Sequence, residues 1–386
     1  MKRCYLLSAI VLAALFFAAC SQAIAPTEVK SPAPVAGTTR TTAEWEQRWD
    51  TVLAAAKKEG TVNIYTTWAG ASRVAQIDGF KKKYGIDAEF TSFGRGAEFI
   101  VRAQAERTAG IKTADVYGFG SSTLLVLAKP DGLLGPIEPF LILPEVVDAK
   151  LWRGGVMPFL DKDKRAIGMS GNVMPYVAVN TEMVNARDIT SYKDLLKPQY
   201  KGKITVNDPT ITGAGSGFLA HLAYHIWSED ESFEFIRQLI KNEAVVMRDQ
   251  RLQAEWLARG KNPIALALDP NGFAELLDAG APITRASMKE GVLMATGDGS
   301  VGLPAVVSHP NAATVFLNWL LSKEGQTIYA KGAGAISKRL DVSTEGYNAN
   351  LVPGPQEKLF VDTEDFIINR GKLVEIAKKA LAADIK

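Results

Sequence analysis

The chain has 386 residues, 47% hydrophobic and 22% charged, an ordinary globular composition with length for about two domains. It carries 44 basic and 42 acidic residues, and setting aside Lys2 and Arg3 leaves 42 of each. That balance gives no electrostatic case for nucleic acid, and no internal repeat of solenoid length is visible.

The chain opens "MKRCYLLSAIVLAALFFAACSQ". Lys2 and Arg3 form a basic start, residues 6–17 an apolar run and Ala18-Ala19-Cys20 a small-residue processing site, which is the pattern of an export signal over 1–19. The two cysteines are Cys4 and Cys20, so a chain cut before Cys20 holds no disulfide. "FAAC" resembles a bacterial lipobox, with Phe17 where Leu is usual, and implies lipidation of Cys20. A plain cleaved signal and an uncleaved anchor are the alternatives, although the apolar run is shorter than the ~20 residues of a spanning helix. Residues 20–41, rich in Pro, Ala, Thr and Ser, are expected to be a disordered tether.

Folded sequence is expected from about residue 42. Thr41 with Glu44 has capping-box spacing, and Trp45, Trp49, Val52, Leu53 and Ala56 share a helical face that Gly60 ends. Strand "TVNIYTTW", helix "GASRVAQIDGFKKKYGI", strand "DAEFTSF", helix "GAEFIVRAQAERTAG" and strand "ADVYGF" follow. Such alternation with short connections predicts a parallel sheet covered by helices. The middle reads as a second α/β unit. "AIGMSGNVMPYVAVNT" gives two strands interrupted at Gly171 and Asn172, "SYKDLL" a short helix, and "GKITVND" a strand entering the glycine-rich "NDPTITGAGSGF". Helices "FLAHLAYHIW" and "SFEFIRQLIK", strand "AVVM", helix "LQAEWLARG", strand "PIALAL" and helix "FAELLDAG" complete it. "GVLMATGDGSVGLPAVV" returns as extended chain, and "NAATVFLNWLLSKEGQTIYAKG" as an amphipathic helix pair.

Five phrases, "AAKKEGTVNIYTTW", "ERTAGIKTADVY", "YVAVNTEMV", "DLLKPQYKGKITVNDP" and "SHPNAATVFLNWLLSKEGQ", run in order from Ala54 to Gln326. They resemble the extracellular solute-binding proteins of bacterial ABC importers, in particular the iron(III)-type branch. The resemblance implies an α/β fold of two lobes, each a mostly parallel sheet flanked by helices, with two strands crossing between them and a ligand cleft. It also implies cargo delivered to a membrane permease. The expected division is 42–167 plus 290–386 for the first lobe and 168–289 for the second, with hinges near 168–180 and 290–299.

Ligands of open α/β sheets lie outside the carboxyl ends of strands, which picks the site candidates. In the first lobe these are Thr66, Thr67 and Trp68; Arg95, beside a helix start and suited to an anion or simply solvated; and Gly120, Ser121 and Ser122, as a ligand-facing helix start or an ordinary cap. Asn172 and Tyr176 lie at the crossing. In the second lobe, Thr212, Gly213, Ala214, Gly215 and Ser216 form an expected amide lip, Arg248 follows a strand, and Asp269 and Asn271 end another. Arg95 and Arg248 are expected to meet an anion from opposite lobes, unless each only serves a surface ion pair. The iron(III) binders that the chain resembles use adjacent tyrosines near Asp269, and no Tyr-Tyr pair occurs here. His221 and His225, four apart, have the spacing of a metal pair but read more simply as packed histidines; His309 reads as a helix start.

No nucleophile elbow, Walker loop or mature-chain cysteine nucleophile is present, and catalysis is not expected. The expectation is a lipid-anchored, exported, monomeric binder of a small anionic or polar solute, without cofactor, bound metal or nucleic acid, that serves an ABC permease. Iron(III) or a ferric chelate is the alternative ligand, and a secreted hydrolase on the same scaffold the alternative of another class.

Overall fold

The computed structural model describes residues 42–385; the export signal, Cys20, the tether and Thr41 of the expected capping box lie outside the described residues. The first stretch yields β1 (Thr61–Thr66), β2 (Asp87–Ser92), β3 (Val116–Phe119), β4 (Leu134–Gly135) and β5 (Ala166–Gly168). Then come β6 (Ser170–Val173), β7 (Val177–Asn180), β8 (Ile204–Asn207), β9 (Val245–Met247), β10 (Ile264–Leu266) and β11 (Ile283–Arg285). β12 (Val292–Ala295), β13 (Ser300–Pro304), β14 (Ile336–Ser337) and β15 (Leu359–Val361) complete the set.

The helices are α1 (Thr42–Glu59), α2 (Gly70–Tyr84), α3 (Gly96–Thr108), the single turn α4 (Pro144–Val147), α5 (Ala214–His221) and α6 (Glu229–Lys241). They continue with α7 (Gln250–Ala258), α8 (Pro270–Asp278), α9 (Pro310–Leu321), α10 (Lys323–Ala333) and α11 (Glu364–Ala380). Their ends follow local chemistry. Ser228 and Glu231 close a capping box on α6, Asp249 caps α7, Asp269 accepts from Asn271 and Gly272 at the start of α8, and α2 stops at Gly85 in the left-handed region. "SYKDLL" forms only a 3-10 turn, Tyr192–Leu196. Among the described residues no helix is long and apolar enough to cross a membrane.

Two main sheets make two lobes. The first runs β2-β1-β3-β13-β4 with β5 also on β13, the second β11-β7-β10-β8-β9. Each has a parallel part, β2-β1-β3 and β10-β8-β9, as the strand–helix alternation predicts. Each also has an antiparallel part, β13 in the first and β7 with β11 in the second, because the chain re-enters a sheet directly from the crossing without a helical connection.

The crossing is a third sheet, β14-β6-β12-β15. β6 follows β5 of the first lobe and leads to β7 of the second; β12 returns to β13; the two pair antiparallel at Met294 with Val173 and Ala295 with Asn172. A Cβ on Gly171 would stand 2.4 Å from the Ala295 carbonyl, so the pair of crossing strands closes only over glycine.

One apolar core, with Val62, Ile64, Phe80, Phe316 and Trp319, lies under the outer helices of the first lobe. Another runs from Phe99, Tyr117 and Leu124 through Tyr176 and Phe218 to Phe366 on α11. The terminal segment, expected with the first lobe, therefore serves both. Arg285 of β11 forms a buried ion pair with Glu357, α11 lies on α5, and Lys129 of the first lobe binds Glu364 at 2.6 Å. Strand and helix periodicity does not reveal that α11 straddles the lobes, because a helix's apolar stripe does not name its partner.

Candidate functional site

Strand ends converge where the lobes meet. A cavity of about 430 Å³ is walled by Trp68 after β1, Asn172 on β6, Asn271 at the start of α8, Thr296 and Asp298 after β12, and Tyr329 on α10. Trp68 is pinned there. Its indole N–H donates to the Asp298 carbonyl at 2.8 Å, its ring meets Tyr329 edge-on at 5.1 Å, and a Cβ on Gly118 would stand 2.5 Å from it.

The turn Gly297-Asp298-Gly299 joins β12 to β13. Gly297 has φ +55°, and a Cβ on Gly299 would collide with the Ser170 hydroxyl. The Asp298 side chain is exposed to the cavity, and no hydrogen bond reaches its carboxylate among the described residues; partial burial raises its pKa above the ordinary carboxylate value. Below the turn, the buried Lys338 ammonium donates to the Thr296 hydroxyl at 2.8 Å while the Thr296 amide donates to Asp362 at 2.7 Å. Burial lowers Lys338 to about 8, with Asp362 opposing the shift.

The structure gathers Trp68, Asn172 and Asn271 from the sequence candidates into this cavity. Gly120 and Ser121 sit behind it: a Cβ on Gly120 would lie 3.1 Å from Asp298 Oδ1, and the Ser121 amide donates to the Gly297 carbonyl at 3.3 Å. Other candidates go elsewhere. Thr66 is wholly buried, donating to the Gly118 carbonyl at 2.7 Å and accepting from the Trp68 amide at 2.9 Å. Thr67 keeps a buried hydroxyl without a partner among the described residues. Ser122 is exposed and makes no cap hydrogen bond.

Tyr176, in the bend just before β7, is buried in the second lobe between Phe218 and His221 rather than in the cavity; burial raises its phenol above the ordinary value. Asp269 spends one carboxylate oxygen on capping α8.

The glycine-rich loop is a tied turn. The Gly213 amide donates to Ser216 Oγ at 3.1 Å, the Gly215 amide to Asn207 Oδ1 at 2.9 Å, and Arg370 on α11 donates to the Gly213 carbonyl at 2.8 Å. A Cβ on Gly215 would stand 2.3 Å from the Asn207 carbonyl, so this glycine serves strand-to-helix packing. Ala214 and Ser216 are buried and Thr212 is exposed. The expectation of free amide donors is thus unmet at Gly213 and Gly215, whose own neighbours satisfy them.

The arginine pair is not assembled. Arg95 is exposed in extended backbone before α3, without an ion pair among the described residues. Arg248 is bound to Asp208, Nε to Oδ2 at 2.8 Å. Burial would raise the Asp208 carboxyl, but hydrogen bonds from Thr210 and Arg248 hold it below its ordinary value.

His221 and His225 pack Nδ1 to Nδ1 at 3.1 Å, with His225 stacked on Phe360 and Phe366 at 4.6 and 4.7 Å. His309 precedes α9 and meets Asp115 at 2.8 Å. Asp298 and Tyr329 escaped the strand-end rule. "GDGS" was the available signal for the first, a lone acid between glycines on the returning chain; Tyr329 is helical and carried none.

The sequence and the two-lobed fold have counterparts among known proteins. The model of the family "Bacterial extracellular solute-binding protein" matches residues 75–351. The chain belongs to this family. An uncharacterised protein of Haemophilus influenzae is 24% identical over 319 residues, 82% of this chain and 88% of its own length.

Among solved structures, Trichodesmium FutA in complex with iron and citrate superposes with a TM-score of 0.64 at 21% identity, covering 84% of this chain and 99% of that one. The ferric iron-binding protein A of Mannheimia haemolytica, in an open conformation, gives 0.64 at 17%, covering 84% and 98%. AfuA of Actinobacillus pleuropneumoniae, with fructose-6-phosphate bound, gives 0.57 at 21%, covering 84% and 99%. These likenesses establish the two-lobed fold, and the family establishes a solute-binding protein of the exported, extracellular kind. Two of these three, FutA and the ferric iron-binding protein A, are of the iron-binding kind that the sequence resembles, and the third holds a sugar phosphate.

Proposed function

We propose that this solute-binding protein captures a small polar organic solute in the cavity between its lobes and presents the closed, loaded form to an ABC permease, with lipidated Cys20 and the tether holding it at the membrane as a monomer. The observation that carries the reading is the composition of the cavity wall: Trp68 from the first lobe, Asn172 from a crossing strand, Asn271 from the second lobe and Asp298 from the returning hinge turn. A solute touching all four bridges the lobes, so it favours the closed state by its differential affinity and needs no chemical step. Trp68, Asn172 and Asn271 are the sequence candidates assigned to direct contact, and Gly120 and Ser121 are assigned to the support of Asp298. Arg95 and Arg248, outside the cavity, leave the anionic form of the ligand with less support than the polar one.

The ferric reading draws on its structural neighbours, one bound to iron and citrate. Against direct coordination by adjacent tyrosines, the chain has no Tyr-Tyr pair, so ferric citrate is the form to test first. The experiment is a thermal-shift screen of the mature protein with sugars, amines, sugar phosphates, citrate and ferric citrate, followed by small-angle scattering of any hit. A ligand specific to the native state raises the melting temperature by mass action, and closure reduces the radius of gyration. A shift with ferric citrate but with no organic solute alone would turn the reading to iron; hits that leave the radius unchanged would remove the lobe-closing role.

A further inference from the structure

The cavity wall carries one formal charge. Asp298 supplies it, and among the described residues no Lys or Arg lines the same space. The carboxylate is held there by construction: Trp68 grips the carbonyl of the same residue, Gly297 takes the left-handed φ of +55°, Gly299 leaves no room for a Cβ against the Ser170 hydroxyl, and Gly120 leaves room at 3.1 Å from Oδ1 where a Cβ would sit. Among the described residues no other group bonds this oxygen pair. The other carboxylates near the crossing are engaged, Asp362 by the Thr296 amide and Glu357 by Arg285, whereas that of Asp298 has no donor among the described residues.

Asp298 is exposed to the cavity, so water serves its carboxylate until a solute displaces it, and a cation supplies the strongest replacement donor. The surroundings suit a cationic head as well. Trp68 and Tyr329, only 3% and 2% exposed, form a rigid back wall beside it, while Asn172 and Asn271 provide neutral polar groups along the rest of the wall. An anionic solute would meet uncompensated repulsion at the same point.

We propose that the solute carries a cationic nitrogen, as a primary ammonium, and that Asp298 is the residue that selects it. This rests on the cavity being the solute site. Because Asp298 stands on the turn between β12 and β13, an ion pair there fixes one hinge strand while the rest of the solute reaches Asn271 of the second lobe, so charge recognition and lobe closure share one residue.

The test uses the mature chain and its variants Asp298→Asn and Asn271→Trp, the second filling the mouth of the cavity from an exposed helix start. 1,4-Diaminobutane and ethanolamine serve as ammonium probes, glucose as a neutral probe, and citrate and fructose 6-phosphate as anionic ones. Calorimetry and melting curves are expected to show binding of at least one ammonium probe, weakened about tenfold or more in Asp298→Asn with the unliganded melt unchanged, and lost in Asn271→Trp. Three results would overturn the assignment: no ammonium probe binding at about 10 mM, ammonium binding undiminished in Asp298→Asn, or preferential binding of an anionic or neutral probe. In the last case, loss of that binding in Asn271→Trp leaves the cavity as the solute site and removes only the cation. Binding of any probe that survives both variants removes the cavity reading itself.

Discussion

The indole N–H of Trp68 donates to the backbone carbonyl of Asp298 across 2.8 Å, although 230 residues separate them. It fastens the end of β1 to the turn by which the chain returns from the second lobe, so the wall of the cavity and its hinge are one hydrogen-bonded unit. Trp68→Phe keeps most of the buried ring but leaves that carbonyl without its donor. Urea unfolding is expected to show a loss of about 1–2 kcal/mol. A variant as stable as the parent would show that the bond does not hold the turn.

Glycine at the crossing is a second point of test. Gly171→Ala puts a methyl 2.4 Å from the Ala295 carbonyl, and the neighbour is backbone that cannot swing away. The expected destabilisation is about 1–3 kcal/mol. Gly371→Ala, on α11 with nothing within 4 Å of the new methyl, is the opposite case and should stabilise by about 0.5–1 kcal/mol. Equal melting temperatures for the two variants would contradict the geometry.

Arg285 and Glu357 form a two-pronged pair, with Nη2 to Oε2 at 3.0 Å and side chains only 6% and 8% exposed. Burial would raise the Glu357 carboxyl, but Arg285, Ser287 and the Gly354 amide together hold it below its ordinary value. Glu357→Gln leaves a buried guanidinium without its counter-charge and is expected to destabilise by about 3–5 kcal/mol, whereas the double change Arg285→Met with Glu357→Leu should recover most of that loss. Chemical denaturation of the three proteins at pH 7 decides it, and a double variant as weak as the single one would refute the pairing argument.

Acid should weaken the fold through the histidine pair. Burial, reinforced by the neighbouring His225, holds His221 down to about 3, and burial holds His225 down to about 4 with Asp362 opposing. Unfolded histidine takes its proton near 6.5, so below that pH the unfolded chain binds protons that the native one refuses. The contribution is fully present above about pH 6.5 and is lost as pH falls through 6.5 towards 4, by up to about 1.4 kcal/mol per pH unit for each histidine. Melting curves at pH 7.5 and 5 are expected to separate, and His225→Phe, which keeps a ring between Phe360 and Phe366, should narrow the gap. An unchanged gap in the variant would mean that other groups carry the acid response.

Much of the fold was legible before any coordinate. The period-2 and period-3.6 runs from "TVNIYTTW" to "FAELLDAG" mark strands and helices because those periods follow from backbone geometry. Of the residues that line the candidate cavity, the strand-end rule picks out Trp68, Asn172 and Asn271, which terminate or follow strands, and passes over Tyr329, whose helix is brought there only by packing. It also gave the "GAGSG" loop free donors that Ser216 and Asn207 consume. Donor type is written in the sequence, but whether a donor is already spent depends on a neighbour that the sequence does not name.

By itself, then, the sequence determined the α/β alternation, the point at which the chain crosses between units, and the residue types available at each strand end. These follow from hydrophobic period, glycine and local capping, all of which act over a few residues. Tertiary structure alone decided that Arg248 answers Asp208, that α11 straddles both lobes, and that the carboxylate of Asp298 stands in the cavity with no donor among the described residues. The physical reason is range: pairing and desolvation depend on groups up to hundreds of residues away, and they set which of many similar polar side chains is left open to a ligand.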